Sequence, residues 1–211
     1  MEYRQFILGE LQTNCYLLWS GTEAGVIDPG GPVDEIIRFI DKQGLQLKWI
    51  INTHGHSDHI LGNRQLQKQY NVPIIIHSAD REMLTSAIAN LSAFIGAPFT
   101  SPDAKSTIKN GDTLALGEEQ IRVLETPGHT QGGISLYIPE RVFVGDTLFL
   151  ESIGRTDLPG GNHWQLLNAI RDRLLVLPPK TKVLPGHGPA TTIGHEIEWN
   201  PFIQEENEVP Y

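Results

Sequence analysis

The sequence predicts an α/β fold in which β-sheets pack against helices. Short apolar runs rich in β-branched residues alternate with segments of helical periodicity along the chain. Turn residues such as Asp28-Pro29-Gly30-Gly31 separate these segments. Histidine or aspartate also follows several predicted strands closely, and loops at strand ends gather at one edge of a layered α/β fold. The same pattern therefore predicts the fold class and the position of a functional site.

Length and composition limit the classes of protein to consider. A chain of 211 residues with 39% hydrophobic residues can bury a substantial core, and we expect one domain over residues 1–211. The 16 basic and 25 acidic residues give a formal net charge of −9, so nucleic acid is not an expected partner. No membrane span or signal peptide is recognisable, and Cys15, the single cysteine, excludes an intramolecular disulfide. We therefore expect a cytoplasmic protein that does not bind membranes, with Cys15 as a buried structural thiol.

The first half of the chain predicts an antiparallel start followed by alternating strands and helices. In chain order, the predicted strands of this half cover residues 3–8, 14–19, 24–27, 47–52 and 72–76. The predicted helices cover residues 32–43, 60–70 and 78–89. The prediction of the first helix rests on the helical spacing of Val33, Ile36, Ile37 and Ile40, and that of the third on Ser78 as its cap.

Three histidines and one aspartate crowd into Thr53-His54-Gly55-His56-Ser57-Asp58-His59, between the strand 47–52 and the helix 60–70. A polar surface loop is the alternative interpretation. The whole chain has only eight histidines, so three within six consecutive positions favour a metal site. His54 and His56 can converge on one cation, and Asp58 and His59 then face a second position.

Each predicted strand of the second half also leads to a potential metal ligand. Strands over residues 120–125, 141–145 and 181–184 are followed by His129, Asp146 and His187. One histidine after Pro-Gly would be weak support, because Pro-Gly is mainly turn chemistry. Three strand-end ligands together with the histidine motif form a pattern that is specific for a metal site. The less regular segment 90–110 either borders this site or only connects the two halves.

Several other polar residues have two interpretations. Asp28 either closes a turn or hydrogen-bonds a ligand histidine. Arg155 can clamp a substrate carboxylate, in which case Arg155→Ala should raise KM by roughly ten- to a hundredfold. Alternatively, Arg155 bonds Asp157 or the backbone and shapes its loop, which could also lie at a subunit contact of a homo-oligomer. The remaining histidines are interpreted as hydrogen-bonded, structural or exposed; they are His77, His163 and His195.

The histidine motif and the three later ligands, at these separations, resemble the metallo-β-lactamase superfamily over nearly the whole chain. The resemblance implies a four-layer αββα sandwich with the site at one edge between two β-rich halves. It also implies two divalent transition-metal ions, zinc foremost, with iron and manganese as alternatives. The implied ligands are His54, His56 and His129 on the first metal, Asp58, His59 and His187 on the second, and Asp146 as a bridge.

Within the superfamily the chain is similar to the glyoxalase II branch, in particular to short bacterial hydroxyacylglutathione hydrolase-like proteins. The segments that carry this similarity are 11–16, 126–130, 145–149, 152–157 and 185–192. The larger glyoxalase II enzymes continue into a helical carboxy-terminal domain that supplies basic groups for glutathione, whereas this chain stops at Tyr211. We therefore expect the glutathione carboxylates to have few charged partners.

The ligand set predicts a hydrolase. Two cations that share a carboxylate can present a bridging hydroxide to an ester-like carbonyl, and Asp58 is the predicted catalytic residue that orients the water or moves a proton. The expected partner is a small-molecule thioester such as S-D-lactoylglutathione. Three alternatives stay open: a persulfide dioxygenase with a single iron at the first site, a lactone, ester or β-lactam hydrolase, and a metal-sensing or structural protein. The last is disfavoured because seven ligands exceed a closed four-coordinate site.

Overall fold

Two six-stranded sheets form the centre of the computed structural model, which describes residues 1–96 and 98–204. The first sheet contains β1 Glu2–Leu8, β2 Thr13–Ser20, β3 Glu23–Ile27, β4 Gln46–Ile51, β5 Ile74–His77 and β6 Ser106–Ile108. The second contains β7 Thr113–Leu116, β8 Glu119–Glu125, β9 Ile134–Ile138, β10 Arg141–Gly145, β13 Lys182–Pro185 and β14 Thr191–Thr192. A separate hairpin joins β11 Leu148–Phe149 to β12 Ser152–Ile153.

Eight short helices connect or flank the strands in the described part of the chain. They are α1 Asp34–Gln43, α2 Ser57–Ile60, α3 Asn63–Tyr70, α4 Arg81–Thr85, α5 Ser92–Ile95, α6 His163–Ala169, α7 Ile193–Trp199 and α8 Pro201–Gln204. A 3₁₀ turn, Ser78–Asp80, precedes α4, and a π-helical turn, Ile170–Leu174, follows α6. Over residues 1–96 and 98–204, no helix has the length and apolarity needed to cross a lipid bilayer.

Strand direction brings the carboxyl ends of eight strands to one edge of the molecule: β1, β3, β4, β5, β6, β8, β10 and β13. In the first sheet β1, β2 and β3 are antiparallel, as predicted, and β3, β4 and β5 run parallel. In the second sheet β10 and β13 are parallel, and β8 has the same direction because β9 lies antiparallel to both β8 and β10. Hydrogen bonds between the halves close this edge: Ile134 N–H donates to the Thr53 carbonyl at 2.9 Å and Asn14 N–H to the Gly186 carbonyl at 2.7 Å.

Three apolar layers separate four layers of secondary structure. Side chains alternate along each strand, so β2 turns Leu17 toward α1 and Leu18 toward the second sheet. Likewise β10 places Phe143 between the sheets, whereas its neighbour Val142 packs against the layer of α6. Each such buried side chain contributes about 1.5–3 kcal/mol relative to an exposed one. The order helix, sheet, sheet, helix confirms the αββα sandwich.

The structure corrects the prediction for residues 60–70, because a break divides that helix into α2 and α3. Gly62 passes so close to the chain after β3 that its N–H donates to the Pro29 carbonyl at 2.6 Å. A Cβ at Gly62 would lie 2.7 Å from the Gly31 carbonyl oxygen. As a result, Asp58 and His59 lie in a helical turn of their own rather than in a strand-to-helix loop.

Two further predictions of secondary structure were wrong in detail. The helix predicted over residues 78–89 ends at Thr85, where Ser86 turns to an extended conformation. Ser78 does not cap it, since the His77 ring accepts the Ala79 N–H at 3.2 Å instead. The segment 90–110, predicted to be irregular, contains α5 and β6 in its described part.

Candidate metal centre

Seven side chains meet at the edge where these strands end, and we call them the ligand cluster: His54, His56, Asp58, His59, His129, Asp146 and His187. Their potential ligand atoms form three groups of three within 4.8 Å of one another. The groups are His54–His56–His129, His54–His59–Asp146 and Asp58–His59–His187. The first and third groups share no residue, so the cluster has two adjacent positions.

Asp146 lies between these two positions. Its Oδ2 is 3.7 Å from His129 Nε2 and 3.6 Å from His187 Nε2, and its Oδ1 is 3.4 Å from His59 Nε2. One carboxylate therefore reaches ligand atoms of both groups, which is the geometry that a bridging ligand requires.

The spacing of the donor atoms fits metal coordination. Two atoms bound at 2.0–2.2 Å from zinc at the tetrahedral angle lie roughly 3.3–3.6 Å apart. His59 Nε2 lies 3.3 Å from His187 Nε2, within this range, whereas His56 Nδ1 lies 2.9 Å from His129 Nε2, which is shorter than the range and a hydrogen-bond distance. His54 Nε2 and Asp146 Oδ1 are buried without a hydrogen-bond partner among the described residues. Because such atoms are rare in folded proteins, lone pairs aimed into the cluster favour a cation as their partner.

Hydrogen bonds to the far side of the rings orient three histidines of the cluster. Asp28 Oδ2 lies 3.0 Å from His59 Nδ1, so this carboxylate does hydrogen-bond a histidine of the cluster. His129 Nδ1 donates to the Arg155 carbonyl at 2.8 Å, and His187 Nδ1 donates to the Leu11 carbonyl at 3.0 Å. A proton held on Nδ1 leaves the Nε2 lone pair of each ring free toward the cluster.

Asp80 supports the first group, although no sequence pattern singled it out. Its Oδ2 accepts the Gly55 N–H at 3.2 Å, and its Oδ1 accepts the Gly132 N–H at 2.7 Å. Burial raises the pKa of this carboxyl, although the amide hydrogen bonds act in the opposite direction. One buried carboxylate thus joins the turn between His54 and His56 to the turn after His129.

Two imidazoles of the first group are held neutral. Burial and the neighbouring imidazoles His129 and His59 together lower the pKa of His56 to about 3. The pKa of His54 is also well below its usual value, again because of burial and adjacent rings. His54 and His56 therefore lose no proton when they bind a metal at neutral pH.

The second group concentrates opposite charges. Burial alone would raise the pKa of Asp58, but His59 and the hydrogen bond from His187 hold it well below its usual range. Conversely, burial alone would lower the pKa of His59, whereas Asp58, Asp146 and Asp28 raise it well above. Without metal, protons on the imidazoles balance the carboxylates, and a cation would displace these protons.

A tight turn after β10 presents Asp146. Gly145 has a φ of +51°, and the register between β10 and β13 shifts at this point. A Cβ on Gly145 would lie 2.2 Å from Thr53 Oγ1, the hydroxyl that donates to Asp28 at 2.6 Å. Glycine is therefore required both for the left-handed backbone and for contact with the histidine motif.

Arg155 lies beside the cluster, but its guanidinium is engaged elsewhere. Its Nε and Nη2 each bond an oxygen of Asp157 at 2.8 Å, in an exposed pair. The edge of the guanidinium that would bind a substrate carboxylate is thus occupied in this structure.

The other histidines behave as interpreted from the sequence. His77 Nε2 lies 3.1 Å from Glu125, and His195 Nε2 lies 2.9 Å from Glu151. His163 is exposed at the start of α6. None of the three belongs to the ligand groups found among the described residues.

Sequence comparison adds a decisive observation to this geometry, because the family model described as "Metallo-beta-lactamase superfamily" matches residues 8–187. The chain belongs to the metallo-β-lactamase superfamily. It is 37% identical over 206 residues to "Probable metallo-hydrolase YqgX" of Bacillus subtilis, covering 96% of this chain and 98% of the relative. It is 35% identical over 208 residues to "Hydroxyacylglutathione hydrolase GloC" of Haemophilus influenzae, covering 93% and 95%. Superfamily and relatives identify a metal-dependent hydrolase.

Solved structures of the superfamily share the fold closely. The BLEG-1 B3 metallo-β-lactamase is 38% identical with a TM-score of 0.91, covering 96% of this chain and 99% of that one. A di-iron-bound form of TTHA1623 is 36% identical with a TM-score of 0.85, covering 94% and 99%. ETHE1 from Myxococcus xanthus is 30% identical with a TM-score of 0.81, covering 100% and 92%.

Proposed function

We propose that this metal-dependent hydrolase cleaves a thioester such as S-D-lactoylglutathione. The observation that carries the proposal is the ligand cluster, in which two complete groups of three lie on either side of Asp146. The similarity to the hydroxyacylglutathione hydrolase GloC supports the thioester as the bond that is cleaved.

The residues present fit two divalent transition metals, and the proposed ligands divide as the groups do. His54, His56 and His129 hold the first position, Asp58, His59 and His187 the second, and Asp146 both. When bound, the two cations supply an activated water and polarise the ester carbonyl.

Asp58 is the proposed catalytic residue among the ligands. Its Oδ2 lies 3.1 Å from His187 Nε2 and accepts the Thr13 hydroxyl at 3.3 Å, so the carboxylate is held in place. Because its pKa is held well below the usual range, Asp58 is ionised at neutral pH and can orient a water by accepting a hydrogen bond from it.

The open side of the cluster indicates where a substrate enters. The side chains of His187 and Asp58 are 27% and 18% exposed, whereas that of His59 is fully buried. We infer that a thioester approaches from the side of the second group.

The test is hydrolysis of S-D-lactoylglutathione by protein purified without chelator. We expect turnover that is lost on chelation and restored by zinc, iron or manganese, and roughly a hundredfold or larger loss in Asp58→Ala. His77→Ala is the matched control, since His77 is hydrogen-bonded outside the cluster. A metal-replete protein that hydrolyses no thioester would overturn the proposal.

Two alternatives have specific support. The first group is complete by itself, and ETHE1 from Myxococcus xanthus is similar in fold and sequence, so a persulfide dioxygenase with one iron is the second candidate. Oxygen uptake with glutathione persulfide would identify it. The similarity to the BLEG-1 B3 metallo-β-lactamase makes β-lactam hydrolysis the third, and a chromogenic cephalosporin tests it.

A further inference from the structure

A cleft of about 530 Å³ opens beside the second group of the ligand cluster, and Asp58 forms part of its wall. The volume lies within the range of roughly 300–1,000 Å³ that small-molecule sites occupy. Apolar side chains dominate the described part of the lining, among them Leu11, Leu61, Ile95 and Phe99.

The segments on two sides of the cleft are fixed directly to ligand residues. The Leu11 carbonyl accepts the Nδ1 proton of His187 at 3.0 Å, while the Leu11 side chain lines the cleft. Leu61 follows Asp58 by three residues, directly after α2. The apolar surface therefore begins where the second group ends.

The third side comes from the described residues of the segment that follows Asn90, namely Ser92, Ile95, Gly96 and Phe99, and this segment is also tied to the histidine motif. Ser57 N–H donates to the Asn90 carbonyl at 3.0 Å, at the start of this segment. Ser92 Oγ accepts the Phe99 N–H at 3.0 Å and so closes the segment that carries Ile95 into a loop. The walls of the cleft thus form one unit with the residues that would hold the second metal.

The charges of the cleft disfavour an anionic occupant. Among its described lining residues there is no lysine, arginine or histidine, whereas Glu10 and Asp58 are acidic. With Asp58 engaged as a proposed metal ligand, a carboxylate of glutathione in this cleft would find no basic side chain among the described lining residues and would lie near the acidic Glu10. Leu11 and Ile95 are 56% and 63% exposed, so a hydrocarbon group would remove considerable apolar surface from water.

We propose that this cleft binds an uncharged hydrocarbon chain attached to the scissile ester. The inference rests on the proposed thioester hydrolysis and names its substrate class: thioesters with a medium-length apolar chain, on the acyl side or on the thiol side. Hydrolysis of lactoylglutathione tests whether the enzyme cleaves thioesters, and hydrolysis of apolar thioesters tests which thioesters it prefers.

Three thioesters distinguish the two sides of the ester. S-acetyl-N-acetylcysteamine is the short reference, S-octanoyl-N-acetylcysteamine carries the chain on the acyl side, and S-octyl thioacetate carries it on the thiol side. We expect kcat/KM for one of the long substrates to exceed that of the reference by at least about tenfold. Values within twofold of the reference for both long substrates would overturn the proposal.

A pair of matched variants locates the effect. Ile95→Lys places a charged group in the cleft, and Ile88→Lys places the same group at a side chain that is 68% exposed and is not among the described lining residues. We expect Ile95→Lys to lower the ratio of long-chain to short-chain kcat/KM at least fivefold, and Ile88→Lys to leave it unchanged. Equal ratios in both variants would contradict binding in this cleft.

Binding without turnover separates this inference from the proposed function. Isothermal titration calorimetry with S-octyl-N-acetylcysteamine, a thioether that cannot be hydrolysed, should show binding that Ile95→Lys weakens and Ile88→Lys does not. If that holds while no thioester is hydrolysed, the cleft assignment stands and the reaction assignment fails. If thioesters are hydrolysed and the thioether does not bind, the cleft assignment fails.

Discussion

At the scale of single residues, the cluster depends on groups that never face the metal positions. Asp28 orients His59 and the Thr53 backbone, and Asp80 joins two turns of the first group. Asp28 was predictable because it directly follows a strand next to the motif. Asp80 was not, because it lies inside the helix predicted over residues 78–89 and not at the end of a predicted strand.

Replacement of Asp80 tests its positioning role. In Asp80→Ala the amides of Gly55 and Gly132 lose a charged acceptor, so we expect the affinity for the first metal to fall about ten- to a hundredfold. Competition with a chromogenic chelator measures this affinity directly. The control is Asp103→Ala, which removes an exposed carboxylate paired with Arg81. Equal affinity in the Asp80 and Asp103 variants would leave Asp80 without the role assigned here.

Arg155 and Asp157 give a prediction for pH. The hydrogen bond and charge of Arg155 lower the pKa of Asp157 to about 2. A depressed carboxyl pKa contributes stability above the usual value of about 3.9 and loses that contribution as the pH falls toward the folded pKa. The pair is exposed, so its effect on stability is small, and NMR titration of the Asp157 carboxyl is the suitable measurement.

In Arg155→Ala the pKa of Asp157 should return to near 4, while KM for the thioester changes less than about threefold. That result assigns Arg155 to the shape of its loop. A KM raised ten- to a hundredfold would instead support the carboxylate clamp considered from the sequence.

At the scale of elements, all eight predicted strands are present, whereas six further strands were not predicted: β6, β7, β9, β11, β12 and β14. The apolar composition of residues 141–145 predicts a buried strand, and β10 has the predicted bounds. The break between α2 and α3 has no local signal, because it results from the contact of Gly62 with the Pro29 carbonyl. The cleft could not be predicted from the sequence either, because its apolar side chains come from separate segments and each resembles an ordinary surface or core residue.

Gly145 tests how the end of β10 presents Asp146. Gly145→Ala combines a left-handed backbone with overlap onto Thr53, whereas Gly44→Ala has a similar φ of +63° and nothing within 4 Å of the added Cβ. We expect Gly44→Ala to cost roughly 1–2 kcal/mol of unfolding free energy and Gly145→Ala roughly 3 kcal/mol or more. Only Gly145→Ala should also weaken metal binding. Urea unfolding and metal titration of the two variants provide the measurement. Equal losses of unfolding free energy in both variants would show that Thr53 moves aside without destabilising the fold.

At the scale of the whole molecule, the two halves of the sandwich each contribute part of the cluster. The first sheet supplies His54, His56, Asp58 and His59, and the second supplies His129, Asp146 and His187. The strand-end pattern predicted this division, because strands of one direction deliver their carboxyl ends to one edge. It did not predict which substrate group lies beside the second position, since that depends on the packing of the loops at residues 9–12 and 90–99.

The central claim is that the cluster holds two metal ions bridged by Asp146. An anomalous-difference map from crystals of metal-replete protein tests it most directly. The expected map has two peaks roughly 3–4 Å apart, one bonded to His54, His56 and His129 and the other to Asp58, His59 and His187. A single peak at the first group under metal-replete conditions would contradict the claim and favour the mononuclear dioxygenase.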